Sequence, residues 1–223
     1  MNYELQFWIV FRDIGLLLEG AILTLRLSAS AMVLGLTVGV LGALAKTAGG
    51  PWIRLAANGY VECIRNTPFI VQLFFIYFGL PEMGLKLTAN QAALVTMVVN
   101  LGAYSVEIVR AGIEAVPKGQ IEAAKSLGLS MLQTFRKIVL FQALKAIFPA
   151  LASQFILIML GSSVVSTISA EDLTAVANLL QSKTFRSFET YFVVAAFYLA
   201  MALGFRAIFS ATYYYIFLRG RQI

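Results

Sequence analysis

Histidine is absent from the 223 residues, and cysteine occurs once, at Cys63. These shortages exclude several kinds of chemistry. No disulfide can close within the chain, no His/Cys cluster can hold a metal, and no catalytic triad that needs an imidazole can be assembled. Charge is scarce too: Asp, Glu, Lys and Arg make up 13% of the chain, against about a quarter in a soluble domain. Hydrophobic residues take 60% and mean hydropathy is +0.82. Several long apolar stretches follow one another, so the chain reads as an integral, all-α membrane protein. Its formal charge of +6 fits basic cytoplasmic loops in such a protein, and no nucleic-acid partner is expected. Residues 1–4 carry no basic cluster and no small-residue cleavage site follows, so the mature chain is expected to begin at Met1.

A spanning helix needs about 20 mostly apolar residues. Five stretches qualify: 21–45, 58–80, 88–109, 146–165 and 191–217. Residues 5–19 are apolar but interrupted by Arg12, Asp13 and Glu19, which predicts an interfacial helix leading into the first span. Lys46 and Arg54 lie between spans one and two. Lys118, Lys125, Arg136 and Lys137 lie between spans three and four, and Arg219 and Arg221 follow span five. These basic segments must share one side, which puts the N-terminus outside and the C-terminus in the cytoplasm. The opposite segments are mixed in sign: Glu82 with Lys86, then Glu171, Asp172, Lys183, Arg186 and Glu189. No Gly/Ser linker or repeat divides the chain, so residues 1–223 are expected to form one domain. Five spans are few for a closed path, which calls for a second copy or a related subunit.

The segment 114–151 lies between spans three and four and is amphipathic and basic. Pro117 and Gly119 are expected to break the preceding helix. A short helix then covers 120–127, ended by Gly128 at positive φ. Ala123 and Ala124 give it a narrow, smooth face that fits a cleft on another protein, with Glu122 and Lys125 at the rim.

Glu122-Ala123-Ala124, then Gly128, then Phe148-Pro149 resembles the EAA loop of the permease subunits of ATP-binding-cassette (ABC) importers. That resemblance implies that Glu122, Ala123, Ala124 and Gly128 form the coupling helix that docks on an ATP-binding subunit. Two further stretches, 64–81 (IRNTPFIVQLFFIYFGLP) and 102–130 (GAYSVEIVRAGIEAVPKGQIEAAKSLGLS), resemble the polar amino-acid permeases. That family imports histidine, arginine, glutamine, glutamate, cystine and relatives. The likeness runs from about residue 16 to 218. Where relatives often carry Lys-Asp-Thr-Ser-Leu after the fourth span, this chain has Leu160-Gly161-Ser162-Ser163-Val164; a charged pair is replaced by Leu and Gly near the family's translocation path.

The implied fold is that of a type I ABC importer permease, five transmembrane helices with a cytoplasmic coupling helix, in the bacterial cytoplasmic membrane. No G-x-x-x-x-G-K-[ST] phosphate loop is present, so ATP and Mg would be held by a partner and no cofactor is expected in this chain. The implied partners are an ABC ATP-binding subunit dimer, a second permease subunit and an external amino-acid-binding protein, with membrane lipid around and an amino acid as cargo.

A zwitterion cannot cross hydrocarbon without compensating groups, so polar residues inside spans face either a path or another helix. Thr67, Gln72, Asn100, Ser153, Gln154, Ser162 and Ser163 are the candidates, with both alternatives open for each. Gln154 leads, because the family's substrate contacts cluster on this part of span four, which also carries Leu157. Pro68 is expected to kink span two and Gly161 to loosen the end of span four. Glu62 with Arg65, and Glu107 with Arg110, stand three apart and read as structural ion pairs, with gating as the other reading. A membrane-embedded enzyme lacks the groups it would need. An ATP-independent channel or secondary carrier remains the alternative, against which the intact loop argues.

Overall fold

The computed structural model describes residues 4–219; Met1 and Arg221 lie outside them. The fold is helical throughout: α1 (Phe7–Arg12), α2 (Ile14–Ala48), α3 (Pro51–Arg65), α4 (Phe69–Glu82), α5 (Ala89–Glu114), α6 (Lys118–Ser126), α7 (Met131–Ile168), α8 (Leu173–Thr184) and α9 (Ser187–Leu218). By length and composition α2, α5, α7 and α9 can each cross a membrane, and α3 with α4 forms a fifth crossing only as a pair bent by 109°.

α2 and α5 form the centre of the bundle. The buried positions of α2 include Leu17, Ala21, Thr24, Ser28, Ala31, Gly35, Gly39 and Ala43, a stripe at helical spacing made mostly of small residues. Small residues let two backbones approach closely where lipid offers no hydrophobic drive for association. Here the approach is tight enough that a Cβ on Gly39 or Gly42 would collide with Ser105 or Val106 of α5, and one on Gly35 would stand 2.9 Å from the Leu101 side chain. α5 begins with a capping box: Thr88 Oγ1 accepts from the Gln91 amide at 3.3 Å and Gln91 Oε1 accepts from the Thr88 amide at 3.0 Å. Ser130 and Gln133 repeat the same box at the start of α7.

Several expectations are corrected. Residues 5–19 do not form one interfacial helix. The chain turns at Asp13 (φ −104°, ψ 23°), and Val10 and Leu17 are both buried, packed with Leu180, Val193 and Val194. In the stretch 58–80 the kink expected at Pro68 is a full break at residues 66–68, because Pro68 has no N–H to donate and drives the residue before it out of the helical region. α7 is one helix from residue 131 to 168 rather than a loop followed by a span. It contains a π turn at Phe135–Val139, carries Pro149 internally, and passes into a 3₁₀ segment at Ser162–Ile168. The regular helix does end at Gly161, as expected.

The mixed-charge segment before α9 is folded into the bundle. It contains α8, and both Asp172 and Glu189 are fully buried. Asp172 Oδ1 caps α8 by accepting from the Ala175 amide at 2.7 Å, and its Oδ2 accepts from the Tyr198 hydroxyl at 3.2 Å. Burial pushes the Asp172 carboxyl above the ordinary carboxylate range, against the opposing pull of those hydrogen bonds. Glu189 Oε1 accepts from the Gln6 amide at 3.0 Å, which ties the start of α1 to α9.

Candidate functional site

The break between α3 and α4 leaves backbone carbonyls without helical partners, and side chains satisfy them. Asn66 Nδ2 adds a bond at 2.8 Å to Glu62 O, which the Asn66 backbone amide already reaches at 3.1 Å. Thr67 Oγ1 donates to Cys63 O at 2.8 Å. Gln72 Nε2 donates to both Ile64 O at 2.7 Å and Thr67 O at 2.8 Å, while its Oε1 accepts from Asn100 Nδ2 at 3.1 Å. One buried amide therefore pins the break and fastens it to α5.

In front of the break lies a cavity of about 590 Å³, bounded by the turn at residues 65–69, by Asn100 and Tyr104 of α5, and by Gln154, Leu157 and Gly161 of α7. Of the residues expected to line a path, Thr67, Asn100, Gln154, Leu157 and Gly161 meet here. Gln72 does not line it; it stands behind the wall with its donors used. Ser162 is buried and donates to Met159 O at 2.7 Å, and Ser163 donates to Leu160 O at 2.9 Å, so both hydroxyls serve their own helix. Ser153 lies on another face of α7, in a second cavity of about 650 Å³ between α7 and α9.

Arg65 was expected to pair with Glu62. That pair is not formed among the described residues: Asn66 reaches Glu62 Oε2 at 3.3 Å, and the Arg65 guanidinium lies over the Tyr104 ring, 5.3 Å from its centroid. The end of α3 at Arg65 turns the side chain into the cavity, where a continuous helix would have kept it three residues along the same face from Glu62. Glu107 and Arg110 do pair, at 2.8 Å. They belong to a larger cluster in which Glu107 also meets Lys46 of α2, and Arg110 meets Glu114 at 2.6 Å.

Arg65, Asn66 and Tyr104 are thus cavity residues that reading the sequence missed. Arg206 is another: it lines the second cavity with Ser210 and Tyr213. It was visible in the sequence as the lone charge between Glu189 and Arg219 in the last apolar run.

At the other end of α5 the short loop helix runs over 118–126 rather than 120–127. Pro117 precedes it, and Gly119 lies inside it instead of breaking the helix before. Gly128 adopts φ +75°. Its amide donates to Lys125 O at 2.9 Å and that of Leu129 to Ala124 O at 3.1 Å, the paired bonds of a Schellman end. Ala123 and Glu122 are exposed, but Ala124 is 1% exposed and buried within the chain itself. Gln120 of α6 and Gln142 of α7 are hydrogen-bonded across the loop. The outer surface of the loop presents Leu127 and Met131, 80% and 89% exposed.

Residues 13–218 match the family of binding-protein-dependent transport system inner membrane components. The chain belongs to that family. It is a permease subunit of a transport system and not an enzyme. A glutamine transport system permease protein of Escherichia coli (strain K12), GlnP, is 38% identical over 196 residues, 87% of this chain and 90% of that one. The crystal structure of an amino acid ABC transporter with histidines superposes with a TM-score of 0.89 at 39% identity, over 95% of this permease and 99% of the other chain. The inward-facing MetNI methionine ABC transporter gives 0.73 at 21% identity over 92% and 98%, a likeness of fold alone. Among the described residues of the permease no three His, Cys, Asp or Glu side chains gather where a metal could be held.

Proposed function

We propose that this permease moves a polar amino acid across the bacterial inner membrane, with its N-terminus outside and its C-terminus in the cytoplasm. The observation that carries the proposal is the cavity at the α3–α4 break. It joins a guanidinium, three amides and two hydroxyls (Arg65, Asn66, Asn100, Gln154, Thr67, Tyr104) within an otherwise apolar bundle. Broken spans commonly supply polar backbone and side-chain groups to a zwitterion at this depth. The amide of Gln154 can make several directional hydrogen bonds, and Leu157 supplies an apolar wall.

Transport is powered by a separate dimer of ATP-binding subunits, which holds ATP and Mg. Glu122, Ala123 and the exposed Leu127 meet that subunit, while Ala124 and Gly128 set the shape of the loop that does so. A second permease, identical or related, completes the path, and an external amino-acid-binding protein delivers the cargo. Closure of the ATPase dimer moves α6, and α7 carries that movement to the cavity, since α6 rests on its first turns. The single domain thus links an ATP-driven motion at one end to access from the other.

Gln154→Ala tests this reading. In reconstituted vesicles the variant is expected to assemble with the ATPase but to lose roughly 5- to 150-fold in apparent affinity for cargo, the equivalent of a needed hydrogen bond worth about 1–3 kcal/mol. Uptake with wild-type affinity and selectivity would reduce Gln154 to a packing residue.

A further inference from the structure

Charges mark the limits of the hydrocarbon layer on α2. Arg26 and Lys46 bracket residues 27–45, which carry no charge; that stretch is about 28 Å long, close to the thickness of a hydrocarbon core. Lys46 meets Glu107 at the inner limit. Near the outer limit the amide of Leu173 donates to Thr24 Oγ1 at 3.0 Å, so α8 starts there. From that point α8 runs antiparallel to the first turns of α2: Leu173 and Val176 lie against Gly20, and Leu180 belongs to the cluster of Val10 and Leu17. Its twelve residues carry the chain roughly 18 Å further out. The corner into α9 is tied there by Arg186 Nη1, which donates to Glu4 O at 3.0 Å. Headgroups extend only about 5–8 Å beyond the hydrocarbon, so the corner clears the lipid.

Phe185 occupies that corner at φ +55° and ψ 26°, a region that glycine enters freely and a bulky side chain hardly populates. Its amide donates to Gln181 O at 2.8 Å, which closes the end of α8; a glycine would do the same without strain. The ring itself adds little to the fold. It is 83% exposed, and among the described residues it makes no ring contact, although Phe188, three residues on, stacks on Phe192. Backbone strain kept in place beneath an exposed group points to function rather than packing. Lipid does not reach the ring at this height. A second permease would be met along the spans, of which α9 is the least buried. An apolar ring held beyond the headgroups faces a soluble protein.

We infer that the α8–α9 corner is the docking point of the external amino-acid-binding protein, with the Phe185 ring inserted into an apolar pocket on that protein. The inference rests on the orientation and the partner given in the reading above, and names the surface on which the two meet. A single aromatic ring seated in a pocket is the kind of anchor that carries most of the binding energy of an interface. The backbone beneath it is fixed in advance. Asp172 caps the start of α8 and Arg186 holds the corner, so docking has little left to order.

The test uses the permease–ATPase complex in nanodiscs and, as probe, the soluble amino-acid-binding protein that stimulates its ATP hydrolysis. In Phe185→Gly and Phe185→Asn the concentration of that protein giving half-maximal stimulation is expected to rise at least about tenfold. Their melting temperatures should equal or exceed that of the wild type, since both residues suit positive φ. Phe185→Tyr keeps a ring and should keep the wild-type concentration. An unchanged half-maximal concentration in Phe185→Gly overturns the inference, and a lowered melting temperature beside it makes Phe185 a packing residue. Phe185→Cys, with Cys63→Ser to remove the other thiol, is then labelled with a membrane-impermeant maleimide. Labelling from outside the cell that the binding protein slows is the expected result. Outside labelling that the binding protein does not slow overturns the inference and leaves the orientation and the permease reading standing. Labelling in detergent but not in nanodiscs overturns it in favour of lipid, and no labelling in either overturns it in favour of a neighbouring subunit. Labelling from the cytoplasmic face alone overturns the orientation as well.

Discussion

α8 buries Leu173, Ala177 and Leu180 against three other elements, α1, α2 and α9, whereas α6, at the opposite end of the bundle, buries Ala124 alone. The difference extends to their ends. α8 starts from a buried side-chain cap, Asp172, while the amide of Leu173 donates to Thr24 Oγ1 of α2 at 3.0 Å. α6 has no side-chain cap at its start, where Pro117 sits, and stops in a glycine turn. α8 is built as an interior part that happens to lie outside the spans. α6 is built to keep its shape while leaving its surface to another protein. A helix of nine residues is too short to hold itself in water, so the contact of Ala124 with its own chain, the Gln120–Gln142 hydrogen bond and the turn at Gly128 fix it.

The comparison can be broken most decisively at α6. Gly128→Val places a β-branched side chain at φ +75°, a region such residues hardly populate. Ala124→Trp forces a ring into a space that is 1% exposed, and overpacking of that kind costs about 1–3 kcal/mol. Both variants are expected to insert and fold but to abolish uptake, either by losing the ATPase subunit in a pull-down or by hydrolysing ATP without response to cargo. Ala124→Ser should retain most activity. Wild-type uptake in both bulky variants would mean that α6 is not the coupling element.

An intermediate effect is expected at α8. Asp172→Ala removes the cap of the Ala175 amide and the acceptor for Tyr198, worth about 1–3 kcal/mol together. The melting temperature in detergent should fall by several degrees, roughly 2–4 °C for each kcal/mol in a chain of this length. The ATPase should remain bound, because the α6 surface is untouched. An unchanged melting temperature would remove Asp172 from the docking of α8.

The smallest effect is a pH dependence. Burial raises the Asp172 carboxyl above its unfolded value of 3.8. Between those two values the folded chain holds a proton that the unfolded chain has released. Stability is therefore highest below the unfolded value and declines as pH rises through the folded one. Mild acidification should raise the melting temperature slightly, and Asp172→Asn should flatten the response. Gly128→Val should keep the wild-type slope, since α6 has no part in it. A wild-type slope of opposite sign would place the dominant titration elsewhere.

Hydrophobic runs and the basic loops made the bundle and its loop helix legible in the sequence. Four of the five apolar windows coincide with α2, α5, α7 and α9, the fifth falls across α3 and α4, and Gly128 was expected at positive φ. What escaped were features decided by tertiary packing. Pro68 was expected to kink span two and the break does fall there, but a 20-residue hydropathy window cannot see that the bend reaches 109°, because apolar content is the same on both sides of the break. α8 was hidden because Asp172 and Glu189 look solvated until their partners, Gln6 and Tyr198, come from distant parts of the chain. The path residues were only half legible. Thr67, Asn100, Gln154, Leu157 and Gly161 converge on one cavity, but Gln72, Ser162 and Ser163 turn to backbone carbonyls, and no composition rule separates those two fates. Arg65 was assigned to Glu62 by helical spacing, a rule that lapses where the helix ends.

Gly35, Gly39 and Gly42 hold α2 against α5 with no side chain of α2 between them at those points. Two helices fitted so closely cannot shear past each other by even one residue, because the displaced neighbours would bring Cβ atoms into the gap. The pair is a fixed post. Whatever moves during a transport cycle must pivot around it, and the compliant parts are elsewhere: the π turns in α4 and α7, Pro149 within α7, and the 109° elbow before α4. The same chain thus holds a part that bears load, where α2 and α5 are pressed together, and a part that bends, where its helices are loosened or broken.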